Sequence, residues 1–267
     1  MEPYAIHDAP GGYERLGVLA RTWRADTVGL LERAGVGRGM RCLDLGCGAG
    51  AVTLELARIV GPEGHVTGID ADERVLGLAR AEVASQRLTH VAFRVADVFD
   101  TGDISAFDVV YCRLLLHHVS RPVELLRRMW AAVAPGGTIV VQDADFDGLF
   151  CDPPNDGFEF YRQMYPRIVA RRGGDATAGR KLHRYFGEAG IPAPQMSVVQ
   201  PVHVDGEAKS LALWTLEATS EACRAEGLAS AQDIAAAVHS LAAFTAQAGT
   251  LISQPRLFQL WSRRLPA

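Results

Sequence analysis

The residues best suited to chemistry lie in one short stretch, residues 41–50 (RCLDLGCGAG). Three glycines at alternate positions, Gly46, Gly48 and Gly50, follow a strand-like run and precede a helix-like run over residues 51–60. Glycine lets the backbone turn through positive φ and lets a bound molecule approach the main chain where a Cβ would collide. A strand, a tight turn and a helix N-terminus facing the ligand form a common cofactor site. The stretch therefore predicts a cofactor-binding turn.

The kind of cofactor depends on Asp44, which lies two residues before the first glycine. The spacing also fits the loose dinucleotide pattern G-x-G-x-x-G/A, with Asp70 near its acidic position, so an NAD-linked oxidoreductase is one alternative. A carboxylate in a buried strand is costly unless it binds a donor. Asp44 would repel a pyrophosphate and suit a ligand ammonium, and residues 1–40, with helical spacing, precede the strand. These features favour a cofactor other than NAD.

The surrounding elements follow a repeated βα pattern, which indicates parallel strands joined by right-handed crossovers. In such sheets, ligands bind beyond the carboxyl ends of the strands, where the strand order switches. The predicted strands cover residues 42–45, 65–69, 90–95, 107–112, 138–142, 195–204 and 257–261, and the predicted helices cover residues 4–35, 51–59, 73–86, 121–134, 178–189, 208–225 and 231–248.

Five motifs occur in a fixed order over residues 40–145, and together they resemble the class I S-adenosylmethionine-dependent methyltransferases. They are residues 43–50 (LDLGCGAG), 68–70 (GID), 96–98 (ADV), 107–111 (FDVVY) and 135–137 (PGG). The resemblance implies an α/β, Rossmann-like, doubly wound sheet of seven mostly parallel strands. It also implies a last strand that is antiparallel, an N-terminal helix and helical lid insertions. The implied cofactor is S-adenosyl-L-methionine.

Three further stretches resemble a small-molecule branch of this family that includes many antibiotic-pathway methyltransferases. They are Tyr4 together with residues 14–16 (ERL), residues 116–119 (LHHV) and residues 172–175 (RGGD). The expected reaction is methyl transfer to an oxygen or nitrogen, or to a carbon, of a small organic molecule, such as a specialised metabolite. The alternative is a protein of this fold that binds the cofactor but catalyses or assists another reaction, such as a cyclisation.

The resemblance implies that most contacts to the methyl donor, S-adenosylmethionine, come from residues at the ends of strands. Asp70 is expected to accept the ribose hydroxyls, and Asp97 the adenine amine; the alternatives are a helix N-cap and a turn-forming aspartate. Tyr4 and Arg15 are expected at the methionine carboxylate, although Arg15 also fits a solvated packing helix. The expected cofactor-binding residues are Tyr4, Arg15, Asp44, Gly46, Cys47, Gly48, Asp70, Ala71, Asp97, Val98 and Arg113.

The candidate catalytic residues are His117, His118 and Asp143. Histidine titrates near neutrality, which suits proton removal from an attacking hydroxyl or amine. Two adjacent histidines on a short helix point in different directions, so we expect at most one to face the methyl group squarely. Asp143 is expected on a loop, as a base, a substrate ligand or part of a solvated acidic turn. Asp145 and Asp147 follow Asp143 at every second position. No second acidic cluster accompanies these aspartates, so we expect no metal site.

We expect one domain over residues 1–267. An N-terminal cover helix occupies residues 1–40 and the cofactor-binding core residues 41–147. A lid insertion covers residues 151–175, and its aromatic side chains either line the acceptor pocket or pack against the core. A helical insertion over residues 207–250 precedes the last strand and either covers the acceptor or forms the surface of a possible homodimer.

Net charge, apolar runs and cysteine spacing indicate which binding partners and which location to expect. A net charge of −4 and a pI of about 6.1 give no general attraction to nucleic acid, so a small-molecule acceptor is expected. The sequence contains no apolar run of 18 residues and no signal peptide, which predicts a cytoplasmic protein with no membrane partner. The five cysteines form no Cys-x-x-Cys pair and are expected to be small buried residues, neither disulfides nor zinc ligands.

Overall fold

A seven-stranded sheet dominates the computed structural model, which describes residues 12–102, 104 and 106–266. Its strand order is β3-β2-β1-β4-β5-β10-β7, and β10 runs antiparallel to both of its neighbours while the other pairs are parallel. The predicted Rossmann-like fold is therefore confirmed. In chain order the strands are β1 (Arg41–Leu45), β2 (His65–Asp70), β3 (Val91–Val95), β4 (Phe107–Arg113), β5 (Val133–Asp145), β6 (Cys151–Asp152), β7 (Gln195–Val199), β8 (Val202–His203), β9 (Leu251–Ser253) and β10 (Arg256–Arg263).

Helices cover both faces of this sheet. Adjacent strand residues point to opposite faces, so Trp261 packs with Leu31 and Leu56 on one face while Leu260 packs with Leu126 and Phe186 on the other. The first face is covered by α2 and α3 and the second by α5 and α7. The helices are α1 (Gly12–Thr22), α2 (Arg24–Arg33), α3 (Ala51–Val60), α4 (Glu73–Ser85), α5 (Pro122–Ala132), α6 (Asp156–Arg171), α7 (Ala178–Glu188), α8 (Leu211–Ala225) and α9 (Ala231–Ala246).

The N-terminal cover consists of two helices in the described residues, where one helix over residues 4–35 was predicted. The chain bends at Trp23, whose φ of −98° and ψ of 1° depart from helical values and whose ring is fully buried. The bend lets α1 pack against α8 while α2 packs on the sheet. The bend at this buried residue therefore separates the part of the cover that packs on α8 from the part that packs on the sheet.

The chain after α7 also departs from the prediction, because the single strand expected over residues 195–204 is divided. β7 stays at the edge of the main sheet, while β8 joins a small sheet of order β6-β9-β8. The break falls at Gln200 and Pro201; proline has no N–H to give to a strand ladder. The Gln200 side-chain amide instead donates to the carbonyl oxygens of Gly148 (2.7 Å) and Gln254 (3.0 Å).

Two further features bear on the expectations from composition. No helix within the described ranges is long and apolar enough to cross a membrane. All five cysteines are free thiols; Cys42, Cys112 and Cys223 are buried, as expected, whereas Cys47 and Cys151 are partly exposed.

Candidate active site

A cavity of about 660 Å³ lies at the carboxyl ends of β1, β2 and β4, where the strand order switches. This is the place where doubly wound sheets bind ligands. Its walls come from the glycine turn, from α1 and from the later helices α6 and α8. The predicted site residues that line it are Arg15, Asp44, Gly46, Cys47, Gly48, Asp70, Ala71, Val98, Arg113, His117 and His118.

The glycine turn and Asp70 form one hydrogen-bonded unit. Gly48 has φ of +53°, and a Cβ placed there would meet no atom within 4 Å, so the backbone borders open space. The Gly48 N–H donates to Asp70 Oδ2 at 2.8 Å, and the Asp72 N–H donates to Asp70 Oδ1 at 3.0 Å. Each carboxylate oxygen can accept a second hydrogen bond. The half-buried Asp70 is therefore held at the end of β2 with capacity left for hydroxyl donors.

Asp44 is a buried carboxyl group at the cavity wall. The Thr53 hydroxyl donates to its Oδ2 at 2.7 Å. Burial raises the pKa of Asp44 to about 7, against the opposing effects of the Thr53 hydrogen bond and the positive charge of Arg113. Arg113, at the end of β4, also lines the cavity and donates from Nη1 to the Thr27 hydroxyl at 3.1 Å. A cationic ligand group would stabilise the ionised form of Asp44.

His117 and Asp143 form a buried pair next to the cavity. His117 Nδ1 lies 2.6 Å from Asp143 Oδ1, and the two side chains are 2% and 0% exposed. Asp143 Oδ2 accepts the Leu116 N–H at 2.6 Å, and Oδ1 also accepts the Ala144 N–H at 2.7 Å. A carboxylate held by two backbone donors acts as an acceptor for Nδ1–H. This arrangement leaves Nε2 of His117 as the basic nitrogen.

A row of aromatic side chains extends from the histidine pair along the cavity wall. The rings of His117 and His118 lie 3.7 Å apart between centroids, and both side chains line the cavity. The Phe146 ring lies 5.8 Å from His117 and 4.4 Å from Tyr165. Tyr161 and Tyr165 of α6 line the cavity, whereas Phe158 of the same helix packs only in the core. Some aromatic side chains of residues 151–175 therefore line the cavity and others pack against the core. Each of the two alternatives for this segment holds for part of it.

Three predicted site residues lie elsewhere. Asp97 is half-buried outside the cavity lining, and its Oδ1 accepts the Phe99 N–H at 2.8 Å, as in a turn-forming aspartate. Asp143 lies on β5 and not on a loop, because the strand continues to Asp145; it contacts His117 and does not line the cavity. Tyr4 lies outside the described residues.

The other acidic residues of this segment have structural partners. Asp145 is fully buried and accepts two hydrogen bonds from Arg180, from Nε at 2.8 Å and from Nη2 at 2.7 Å. Asp147 also contacts Arg180, at 3.2 Å, and stays exposed. Within the described ranges, no group of three or more His, Cys, Asp or Glu side chains could hold a metal ion.

Several cavity residues belong to segments whose sequence gives no indication of ligand contact. Trp23 at the bend between α1 and α2, Phe146 after β5, and Thr215 on α8 line the cavity although each belongs to a segment without a motif. Arg15 Nε donates to the Thr215 hydroxyl at 2.9 Å, while Nη1 of Arg15 is buried without a hydrogen-bond partner among the described residues. The amphipathic spacing of the N-terminal helix predicts Trp23 on its apolar, buried face, but no local pattern places it beside a ligand.

The open backbone at Gly48, the buried Asp44 carboxyl and the unpartnered guanidinium nitrogen of Arg15 suit a ligand that carries both an ammonium and a carboxylate. The comparison with known families agrees. The profile described as a methyltransferase domain matches residues 37–190, which is more than half of the chain. The chain therefore belongs to the methyltransferase domain family, and its fold and motifs are those of the class I S-adenosylmethionine-dependent methyltransferases.

Individual relatives are more distant. Demethylmenaquinone methyltransferase of Halalkalibacterium halodurans is 33% identical over 121 residues, which cover 45% of this chain and 48% of that protein. The chain thus spans about half the length of the curated relatives that it matches.

Among solved structures, phosphoethanolamine N-methyltransferase 2 of Haemonchus contortus, in complex with phosphomonomethylethanolamine and S-adenosylhomocysteine, shares the fold with a TM-score of 0.58 at 18% identity. The alignment covers 96% of this chain and 58% of that one. The [4+2]-cyclase SpnF has a TM-score of 0.55 at 18% identity, covering 92% and 81%.

Proposed function

We propose that this protein transfers the methyl group of S-adenosylmethionine to an oxygen or nitrogen of a small, partly apolar organic molecule. The observation that carries the proposal is the continuity of one cavity, which joins the glycine turn and Asp70 to the aromatic side chains around His117. Apolar walls with a few polar groups are typical of small-molecule sites. The acidic net charge and a cavity lined mainly by apolar side chains both favour a small acceptor over nucleic acid.

In this proposal the donor lies along the carboxyl ends of β1 and β2. Asp70 accepts hydrogen bonds from the ribose hydroxyls, and ionised Asp44 binds the ammonium. Arg15 and Arg113 lie at the carboxylate. When bound, S-adenosylmethionine supplies an electrophilic methyl group. The remaining contribution of the protein is to place the acceptor in line with that methyl group, at about 3 to 3.5 Å from it.

The acceptor lies between Phe146, Tyr165 and the two histidines. Its O–H or N–H proton moves to Nε2 of His117, while Asp143 keeps Nδ1 protonated and stabilises the charged ring that results. Asp143 therefore acts through His117, as a positioning residue. Placement of the acceptor can supply roughly 7 to 11 kcal/mol and a base about 10² to 10⁴ in rate, so placement is the larger effect.

The proposal is tested with methyl-labelled S-adenosylmethionine and a panel of hydroxylated and aminated aromatic compounds. We expect S-adenosylhomocysteine to bind in calorimetry and label to appear in at least one acceptor. A protein that failed to bind S-adenosylhomocysteine would contradict the donor site. An acceptor that is converted while the label stays in the donor would instead support the alternative of a cyclisation or other reaction.

A further inference from the structure

Arg15 of α1 is an unusual charged residue for a cavity wall. The residue is 7% exposed and lines the cavity, yet Nη1 has no hydrogen-bond partner in the part of the chain that the structure describes. A buried guanidinium N–H without an acceptor is costly. No carboxylate of the described residues is paired with Arg15, so Nη1 can donate to an acceptor group that a ligand supplies.

The orientation of Arg15 depends on Thr215, which lies 200 positions later in the sequence. Thr215 is 4% exposed, and its hydroxyl donates to the Leu211 carbonyl oxygen at 2.6 Å. The hydroxyl oxygen of Thr215 in turn accepts the Arg15 Nε–H at 2.9 Å. Because a guanidinium is planar and rigid, a fixed Nε also fixes the direction of the Nη1 donors. Thr215 thus fixes the direction in which the Arg15 guanidinium points.

A second contact joins the same two parts of the molecule. Arg21 lies at the end of α1, and Glu207 lies just before α8. The Arg21 guanidinium donates two hydrogen bonds to the Glu207 carboxylate, at 2.7 and 2.9 Å. Both side chains are exposed, so this pair adds little stability by itself. Together with Arg15 and Thr215 it shows that α1 packs on the helical insertion over residues 207–250.

The position of α1 indicates which ligand group Arg15 meets. α1 also packs against α3, which begins directly after the glycine turn. The cavity-lining residues of α1 and the bend after it, from Arg15 to Trp23, therefore belong to the same cavity as the glycine turn that precedes α3. The donor carries one carboxylate, next to the ammonium that suits Asp44.

We propose that Thr215 is a positioning residue for donor binding, which holds Arg15 so that Nη1 donates to the donor carboxylate. This inference rests on the proposed function. It assigns the insertion a part in the donor site, beyond the two roles, acceptor cover or dimer surface, that the sequence left open.

The test compares two ligands in calorimetry: S-adenosylhomocysteine and its decarboxylated form, S-adenosyl-3-thiopropylamine, which lacks only the carboxylate. In Thr215→Val we expect the Kd of S-adenosylhomocysteine to rise about tenfold, because the charged group loses its fixed orientation. The Kd of the decarboxylated ligand should change by less than about twofold. Thr215→Ser keeps the hydroxyl and should restore the wild-type ratio of the two Kd values.

Thr219→Val is the matched control. Thr219 is equally buried and also lines the cavity, but its hydroxyl donates only to backbone oxygens, so the ratio of the two Kd values should stay unchanged. Equal weakening of both ligands in Thr215→Val would overturn the inference, as would unchanged binding with a raised KM for the acceptor. If the wild-type protein did not bind S-adenosylhomocysteine, the proposed function itself would fail first.

Discussion

Asp143 holds Nδ1 of His117 at 2.6 Å in a site that buries both side chains. The carboxylate is itself held by the Leu116 and Ala144 N–H groups, so the direction of the imidazole is set by backbone. The pair gives a histidine at the cavity wall one defined tautomer and one defined orientation, which is what a general base requires.

Asp143→Asn should therefore lower kcat by about 10² to 10⁴ and leave the Kd for S-adenosylhomocysteine nearly unchanged. An asparagine amide can donate to Nδ1, which would place the proton on Nε2 and remove the base. His117→Ala should cause a similar loss. The double variant should lose little more than either single variant, since the residues act as a unit. Additive losses in steady-state assays would show that Asp143 acts independently of His117.

Donor binding should depend on pH through Asp44. Burial raises the pKa of this carboxyl to about 7, and only its ionised form binds an ammonium well. The affinity for S-adenosylhomocysteine should fall by about tenfold per pH unit below 7 and level off above it. Asp44→Asn should bind weakly at all pH values and show no inflection near 7. An unchanged inflection in calorimetry of this variant would assign it to another group.

Asp44 also affects stability, with a defined sign. Its pKa is about 7 in the folded protein against 3.8 for an ordinary aspartate, so the folded chain holds a proton that the unfolded chain releases between these values. The free energy of unfolding should therefore fall as pH rises from about 4 to 7. Urea unfolding of the ligand-free protein should show a weaker fall in Asp44→Asn. Equal pH dependence in both proteins would contradict the prediction.

Gly48→Val should abolish binding of S-adenosylhomocysteine, because the new side chain would occupy the space where the ligand approaches the backbone. Gly39→Val is the control: both glycines have positive φ, +53° and +76°, and at both a Cβ would meet no atom within 4 Å. Backbone strain should cost each variant roughly 1–2 kcal/mol of stability. Only Gly48→Val should lose the ligand in calorimetry; equal binding by the two variants would reject this turn as the donor site.

Tyr165→Leu should raise the KM for the acceptor about tenfold and leave the Kd for S-adenosylhomocysteine unchanged. The ring lies in the cavity wall against Phe146, so its loss removes apolar contact from the acceptor side. Phe158→Leu, on the same helix, changes a core residue outside the cavity lining and should lower Tm without changing the acceptor KM. A change in acceptor KM in both variants would indicate a general effect of α6.

Local pattern is sufficient for features whose residues lie close together in the chain. The alternation of strands and helices, together with a glycine turn at one strand end, predicted the sheet and the position of the cavity. It failed at Asp143, because β5 was expected to end at residue 142. The strand continues to Asp145 since β10, more than a hundred residues later, pairs with it as far as Arg256 opposite Asp145.

By itself the sequence determined which strand ends carry the glycine turn, Asp44, Asp70 and the histidines, because spacing along the chain decides which residues come directly after each parallel strand. The tertiary structure alone decided that Asp143 faces His117 and that Thr215 holds Arg15. These contacts join residues far apart in the chain. They depend on the packing of α1 against α8 and on the register of an antiparallel strand, which no local pattern specifies.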